Sequence, residues 1–330
     1  MKHIRTDLAV EAREMYQENT QENTEIDGVV ARTRKLPNVT VTHVEVVSEQ
    51  GAQSIGKPVG NYITLEIPKI RQRDMQVIKD SIIELANELR NLIQNNDCVL
   101  VCGLGNYRVT PDALGPKVLH GILITRHLYD EQNNSYIANM QPVCGISPGV
   151  LGTTGIETGE IIRGVAERVK PSVIIAIDAL ASRKVERVST TIQIADTGIT
   201  PGSGIGNTRN ALNRETLGVP VIAIGVPTVV DAATITGDTI EKLINEMKNG
   251  TEKNSKLYEF LENVNEEDKY ALIKEVLTPY DANLFVTPKD VDMTISDISK
   301  VISTGINMAL QPSLTLNDAL EFVILCWVIL

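Results

Sequence analysis

Apolar and polar residues alternate along the chain in a pattern typical of an α/β protein. Short apolar runs rich in β-branched residues predict strands, and stretches with apolar residues every three or four positions predict helices. The predicted strands cover residues 39–47, 62–67, 98–102, 173–177, 191–195 and 221–224, and the predicted helices cover 75–92, 116–127, 157–169, 238–247 and 266–277. This order of strands and helices predicts a sheet layered between helices.

The two ends of the chain carry weaker signals. Residues 1–38 are polar and show no strong period, so they predict no definite element. Residues 322–330 are almost all apolar, but they are too few for the ~20 residues that a helix needs to span a bilayer. We expect a buried strand or a packed tail there, with an exposed contact between subunits as the alternative.

The composition is that of a folded, acidic protein. A chain of 330 residues with 42% hydrophobic residues can bury a substantial core. Its formal net charge of −11 argues against non-specific binding of nucleic acid, which requires a basic face. The first residues contain no apolar run of the kind found in secretory signals, so we expect a cytoplasmic protein without membrane contact.

Three aspartates occupy positions where an α/β sheet collects catalytic groups. Asp178 and Asp196 each end a predicted strand, and Asp112 follows the loop after the strand at 98–102. Apolar strands desolvate such carboxylates, and two carboxylates within ~3 Å of each other share one proton. One then serves as a base that activates water and the other as an acid. A turn or helix-capping role is the alternative for each aspartate.

A glycine-rich turn precedes Asp112. The run Gly103-Leu-Gly-Asn106 follows a strand, which on its own weakly suggests phosphate binding. The dinucleotide pattern G-x-G-x-x-G is absent because position 108 is arginine, so a tight turn is the simpler interpretation. We therefore take Gly103, Gly105 and Asn106, together with Asp196, as a possible substrate-site loop. The four histidines form no H-E-x-x-H motif, and we predict no metal site.

Several short blocks stand out along roughly residues 4–310, among them Thr110-Pro-Asp-Ala-Leu-Gly115, Ala176-Ile-Asp-Ala-Leu180 and Gly225-Val-Pro-Thr-Val-Val-Asp231. In this order they resemble successive blocks of the germination protease family. The resemblance implies an endopeptidase of the spore core that degrades small acid-soluble spore proteins during germination. It also implies a homotetramer, no required cofactor, and a three-layer α/β sandwich with a mostly parallel central sheet, as in the hydrogenase-maturation endopeptidases.

The same resemblance assigns residues. It gives the catalytic pair as Asp112 and Asp178, with a metal-dependent endopeptidase on the same site as the alternative. The block Ile4-Arg-Thr-Asp-Leu-Ala-Val-Glu11 is similar to the point where the family zymogen cuts itself, which implies processing between Asp7 and Leu8. The expected organisation is a pro-segment at 1–7, one protease domain at 8–310 and a divergent C-terminal tail at 311–330.

Two other classes of protein compete with this interpretation. Peptidyl-tRNA hydrolase-like esterases share a Gly-Leu-Gly-Asn turn and a Thr-Arg-His triplet like that at Thr125-Arg-His127. They need a basic channel for RNA, which the net charge of −11 disfavours. A non-catalytic binding protein on the same scaffold is the other alternative, and the presence of both Asp112 and Asp178 argues against it.

Overall fold

A computed structural model gives the fold. It describes residues 6–20, 25–93, 98–130, 140–202, 210–251, 255–262, 273, 275 and 284–328. The predicted helix at 266–277 lies outside these residues except for positions 273 and 275.

Nine strands of the described residues form one mixed sheet. They are β1 (Val29–Lys35), β2 (Thr40–Val46), β3 (Gly60–Glu66), β4 (Val99–Gly103), β5 (Val143–Ile146), β6 (Val173–Ser182), β7 (Thr191–Ala195), β8 (Val221–Asp231) and β9 (Phe285–Val286). Their order is β1-β2-β3-β7-β8-β6-β4-β5, and β9 pairs with β8. The four strands β5, β4, β6 and β8 are parallel to their neighbours in that group, and the remaining pairings are antiparallel.

Helices cover both faces of this sheet. The described helices are α1 (Ala9–Thr20), α2 (Glu49–Ile55), α3 (Met75–Leu92), α4 (Leu114–His120), α5 (Leu151–Thr154), α6 (Thr158–Val169), α7 (Arg214–Leu217), α8 (Ala232–Asn249), α9 (Lys256–Glu262), α10 (Val291–Leu310) and α11 (Leu316–Val328). One face packs against α3, α4 and α10, and the other packs against α6 and α1. The predicted three-layer α/β architecture is confirmed.

Helix α3 illustrates how the sequence pattern produces this layering. Ile82, Leu85 and Leu89 repeat at helical spacing and are fully buried against the sheet. The side chain of Asp74 accepts a hydrogen bond from the N–H of Gln76 and caps the helix, as predicted. The strong amphipathic pattern and the capping aspartate therefore made this helix predictable from the sequence.

Other elements differ from the prediction. The helix expected over 116–127 begins at Leu114 and ends at His120, because the chain turns at Gly121. Residues 6–35, for which no element was expected, contain α1 and β1. The apolar C-terminal run belongs to a helix rather than a strand, and that helix, α11, buries Ala319 and Val323 but leaves Ile324 and Leu325 exposed. Among the described residues, no helix has the length and apolar character needed to cross a membrane.

Candidate active site

Asp178 is a buried carboxylate inside strand β6. It is 5% exposed, and because Ile177 points into the core beneath α3 and α10, Asp178 points to the opposite face of the sheet. Its Oδ1 accepts a hydrogen bond from the N–H of Ala179 at 2.9 Å. The strand was predicted to end at Asp178, which is wrong, because pairing with β8 extends β6 to Ser182. The neighbouring strand β4 does end here, at Gly103 opposite Ile177.

Asp112 lies on the turn that follows β4. The turn begins where the N–H of Leu104 donates to the carbonyl of Ile177 at 2.8 Å, one residue before Asp178. The N–H of Asn106 then donates to Oδ2 of Asp112 at 2.8 Å, which holds the half-buried carboxylate over the turn. The 3₁₀ turn that contains Asp112 also contacts β6 and β8. Asp112 and Asp178 therefore lie at the same edge of the sheet, the one where the parallel strand β4 reaches its C-terminal end.

Gly105 makes the Asp112 turn possible. Its φ of +102° is a conformation that residues with a Cβ rarely adopt. A Cβ at this position would lie 2.1 Å from the backbone oxygen of Asp112 and 3.0 Å from its Oδ1. The turn thus brings its own backbone against Asp112 in a way that only glycine allows.

Asp196 lies elsewhere. Strand β7 is antiparallel to β8, with Gln193 opposite Gly225 and Ala195 opposite Ala223. The end of β7 therefore points away from the edge where β4 ends, so the strand-end position of Asp196 does not place it with Asp112 and Asp178. Its carboxylate instead accepts hydrogen bonds from the backbone N–H and the side-chain amide of Asn61, at 2.8 and 2.7 Å. It holds the start of β3 at this point.

A row of three residues crosses the sheet beside Asp178. Asp178 on β6 and Gln193 on β7 are both paired with Gly225 on β8, so the two side chains project from the same face. Strand spacing puts the two backbones about 10 Å apart. Gly225 has no side chain between them, and Leu180 lies over it, because a Cβ there would be 2.4 Å from Cδ1 of Leu180. Leu180 therefore covers the face between Asp178 and Gln193, and it packs there with Leu8 of the N-terminal segment.

The N-terminal segment Thr6–Leu8 lies against this region. The N–H of Asp7 donates to the carbonyl of Ala181 at 2.9 Å, and the N–H of Ala181 donates to Oδ2 of Asp7 at 2.8 Å. Leu8 is fully buried and packs with Val10 and Leu180. The segment is thus fixed both by its backbone and by its side chains.

The carbonyl oxygen of Asp7 accepts two hydrogen bonds from side chains. Lys57 Nζ donates at 2.9 Å and Gln193 Nε2 donates at 3.1 Å. The Oε1 of the same Gln193 accepts from the N–H of Ala9 at 2.7 Å. Burial lowers the pKa of the Lys57 amine, while the charges of Asp7 and Glu11 act in the opposite direction. The Asp7–Leu8 peptide bond is therefore held from both sides.

A buried carboxylate completes the surroundings of Leu8. The N–H of Leu8 donates to Oγ1 of Thr6 at 3.1 Å, and that hydroxyl donates to Oε2 of Glu11 at 2.5 Å. Glu11 is fully buried and also accepts from the backbone N–H groups of Arg183 and Lys184, at 2.6 and 3.0 Å. These bonds satisfy a carboxylate that burial would otherwise make costly.

Ion pairs tie the rest of α1 to the loop after β6. Arg187, 7% exposed, binds both carboxylate oxygens of Glu14, and Arg183 binds Glu18 at 2.6 Å. Burial raises the pKa of Glu14, but hydrogen bonds from Arg187 and Lys184 outweigh burial and leave that pKa below its ordinary value. Helix α1 is therefore attached to the sheet by charge as well as by apolar contact.

A cleft of about 450 Å³ opens beside the Asp7 segment. Its lining includes the following six residues: Asp7, Lys57, Leu180, Gln193, Thr197 and Gly225. Such a volume suits a few residues of extended peptide. Among the described residues, no three His, Cys, Asp or Glu side chains are grouped so that they could hold a metal ion.

Sequence reasoning did not find the residues that hold the Asp7 segment. Gln193 offered a usable signal, because it is the polar member of the apolar strand β7 and points to the face opposite Ile192 and Ile194. Lys57 and Glu11 offered none, since their partners lie far away in the chain. The predicted positions Gly103, Gly105 and Asn106 do lie at the edge shared by Asp112 and Asp178.

These features define a class of protein. The sheet edge carries two aspartates, and the cleft beside it holds the segment Thr6–Leu8 through hydrogen bonds to β6 and one buried apolar side chain. Proteins that act on other polypeptides commonly bind them through main-chain hydrogen bonds and pockets for side chains.

Comparison with known proteins identifies the family. The sequence profile of germination protease matches residues 9–261 and 242–322. The chain is 54% identical to a germination protease of Clostridium tetani, over 96% of this chain and 98% of that protein. It is 54% identical to that of Caldanaerobacter subterraneus subsp. tengcongensis, over 94% and 95%, and 46% identical to that of Bacillus cytotoxicus, over 93% and 94%. The chain belongs to the germination protease family, which confirms the resemblance, and it is a peptidase.

A likeness among solved structures is more distant. The chain is similar to a [NiFe] hydrogenase maturation protease, HycI from Thermococcus kodakarensis, with 19% identity and a TM-score of 0.28. The likeness covers 43% of this chain and 80% of that protein.

Proposed function

We propose that this chain is a self-processing endopeptidase that cuts its own Asp7–Leu8 bond and then degrades small acid-soluble spore proteins during germination. The observation that carries the proposal is the position of the Asp7 segment. Asp7 is hydrogen-bonded to Ala181, which lies on the same strand as Asp178. A peptidase whose own chain crosses its candidate catalytic strand has a substrate-like segment in position. Residues 1–7 are then the pro-segment.

The proposed chemistry is hydrolysis by water and two carboxylates. Asp112 and Asp178 act as an acid–base pair, in which the ionised member takes a proton from water as the water oxygen attacks the peptide carbon. The protonated member supplies the proton that the departing nitrogen requires. A C–O bond forms, the C–N bond breaks, and the products are a carboxylate and an amine. The edge shared by the two aspartates supports this pairing.

Substitution of the two aspartates tests the mechanism. Asp112→Asn and Asp178→Asn are each expected to slow the appearance of a chain beginning at Leu8 by about 1,000-fold or more. Asp297→Asn is the matched control, since Asp297 lies on α10 and pairs with Arg73 away from the cleft, and it is expected to process normally. Thermal unfolding checks that all three variants fold. Substantial processing by the Asp112 or Asp178 variant would refute the acid–base pair.

A metal-dependent mechanism at the same site makes a different prediction. We expect processing to survive strong chelators, because the proposed pair activates water without a metal. Activity that is lost with a chelator and restored only by added zinc would assign the reaction to metal-activated water instead.

The cellular setting follows from the family in the same proposal. We infer a homotetramer that acts in the cytoplasm of the forespore and the spore core. Measurement of mass in solution tests the assembly. Digestion of purified small acid-soluble spore proteins, with mapping of the cut bonds, tests the substrate.

A further inference from the structure

The carbonyl of Asp7 accepts hydrogen bonds from two side chains that have no role in the proposed acid–base pair. Its oxygen accepts from Lys57 Nζ at 2.9 Å and from Gln193 Nε2 at 3.1 Å. Both donors come from side chains that are remote in sequence, one after helix α2 and one on strand β7. Two converging donors on one particular carbonyl are the arrangement that stabilises negative charge when a carbonyl is attacked.

Gln193 also determines which bond faces these donors. Its Nε2 binds the carbonyl of Asp7, while its Oε1 accepts from the N–H of Ala9 at 2.7 Å. One planar amide therefore contacts the chain on both sides of the Asp7–Leu8 bond. A shift of the segment by one residue would break both contacts, because the next carbonyl, that of Leu8, already accepts a hydrogen bond from the N–H of Ala12 at the start of α1. Gln193 thus fixes the register of the bond.

Gln193 is held where it can serve both the bond and the candidate acid–base pair. It is 7% exposed, and it lies in the row that runs through Gly225 to Asp178. Leu180 covers Gly225 between the two side chains and packs with Leu8, and the Asp7 segment is attached to the same strand as Asp178 through Ala181. A water molecule activated from the Asp178 side would meet a carbonyl whose oxygen is held from the Gln193 side.

We propose that Lys57 and Gln193 form the oxyanion site of this peptidase, first for the Asp7–Leu8 bond and then for its protein substrates. The inference rests on the proposed function, since it supplies the electrostatic part of the same hydrolysis. As the water oxygen bonds to the carbonyl carbon of Asp7, the carbonyl π electrons move onto its oxygen, where Lys57 and Gln193 donate. The C=O bond then re-forms and the bond to the nitrogen of Leu8 breaks, and that nitrogen takes a proton from the protonated carboxyl of the acid–base pair.

The same donors remain after processing. When the residues before Leu8 leave, the cleft of about 450 Å³ that Lys57, Gln193 and Gly225 line is open to another chain. The carbonyl of a bound substrate then takes the place of the Asp7 carbonyl. The site is therefore used once within the chain and repeatedly afterwards.

The test measures the first-order rate at which the full-length chain acquires Leu8 as its first residue, followed by mass spectrometry. Lys57→Met and Gln193→Glu are each expected to slow this rate by about 100-fold, the usual loss of one oxyanion donor. Gln193→Glu is nearly isosteric and keeps an acceptor for the N–H of Ala9, and it replaces the donor with a carboxylate, which repels negative charge on the Asp7 oxygen. Lys57→Arg restores a charged donor and is expected to recover part of the rate. If Lys57→Met fails to fold, Gln193→Glu decides alone.

Matched controls separate loss of the donors from general damage. Lys69→Met removes an exposed lysine, and Gln311→Glu changes a buried amide that binds the backbone of Gln141 far from the cleft. Both controls are expected to process at the wild-type rate.

The outcomes distinguish this inference from the proposed function. Slowing of less than about tenfold in folded Gln193→Glu or Lys57→Met, while Asp178→Asn is inactive, would overturn the oxyanion site and leave the acid–base pair standing. A wild-type chain that never cuts the Asp7–Leu8 bond would overturn both.

Discussion

Asp7 and Ala181 exchange two hydrogen bonds, in which the N–H of Asp7 meets the carbonyl of Ala181 and the N–H of Ala181 meets the carboxylate of Asp7. The distances are 2.9 and 2.8 Å. The side chain of Asp7 thus occupies the place that a backbone carbonyl would take in a regular ladder. An acceptor on a short side chain at this position holds the segment against β6.

The first prediction concerns that acceptor. Asp7→Ala leaves the N–H of Ala181 without this partner, and we expect processing at Leu8 to slow by about tenfold or more. Asp7→Asn keeps an acceptor oxygen but removes the charge beside Lys57, so its rate is expected to lie between wild type and Asp7→Ala. Time courses of N-terminal sequencing measure the order. Equal rates for Asp7→Ala and wild type would show that this contact is dispensable.

The second prediction concerns the turn beneath Asp112. Gly105→Ala would put a Cβ 2.1 Å from the backbone oxygen of Asp112, at a residue whose φ is +102°. The turn must move, and a shift of about 1 Å in a catalytic group costs about 100-fold in rate. We also expect a loss of about 1–3 kcal/mol in the free energy of unfolding. Rates of self-processing and denaturant unfolding measure the two effects.

Gly152→Ala is the matched control for Gly105→Ala. Gly152 lies in α5, and a Cβ there would meet nothing within 4 Å. Its substitution is expected to leave the rate unchanged and the stability unchanged or higher by up to about 1 kcal/mol. Full activity in Gly105→Ala would mean that the position of Asp112 does not matter for the reaction.

The third prediction concerns pH and Glu14. Hydrogen bonds from Arg187 and Lys184 outweigh burial and lower the pKa of Glu14 below its ordinary value of 4.5. A carboxylate with a lowered folded pKa stabilises the protein above its ordinary pKa, and this contribution is lost as the pH falls through the folded value. We therefore expect Glu14→Gln to cost about 1 kcal/mol at pH 7.

The cost of Glu14→Gln should shrink as the pH falls below 4.5, the ordinary value for glutamate. Urea unfolding of wild type and variant across this range measures the difference. Glu246→Gln, at an exposed position on α8, is the control and should show no such dependence. A cost for Glu14→Gln that stayed constant down to pH values well under 4.5 would contradict the assigned ion pair.

The sequence predicted those parts of the fold that rest on local patterns. Helix α3 has a strong apolar period and a capping aspartate, and strands such as β4 and β7 are short apolar runs, so each was visible within its own residues. Helix α1 was not visible. Its apolar face is narrow, and its attachment depends on Glu11, Glu14 and Glu18 meeting arginines that lie more than 150 positions later in the chain.

In the candidate site, too, local patterns predicted some residues and contacts between distant residues determined the others. Strand-end positions pointed to Asp112 and Asp178, but they pointed equally to Asp196, because the direction of β7 depends on its partner β8 rather than on its own residues. Lys57 reaches the Asp7 carbonyl from a loop whose sequence has no distinctive pattern. Such contacts are set by the tertiary fold, so a single sequence does not reveal them.

The hydroxyl of Thr6 stands between the nitrogen of Leu8 and the carboxylate of Glu11, at 3.1 Å from one and 2.5 Å from the other. Cutting the Asp7–Leu8 bond turns that nitrogen into a free ammonium, and the departure of Thr6 removes the group that separates it from Glu11. The new ammonium of Leu8 would lie beside the buried carboxylate of Glu11 and attract it, and Leu8 is already held by its packing against Val10 and Leu180. An ion pair between the Leu8 ammonium and Glu11 would hold the new chain end in place. Rejoining the cut chain would require this ion pair to break first.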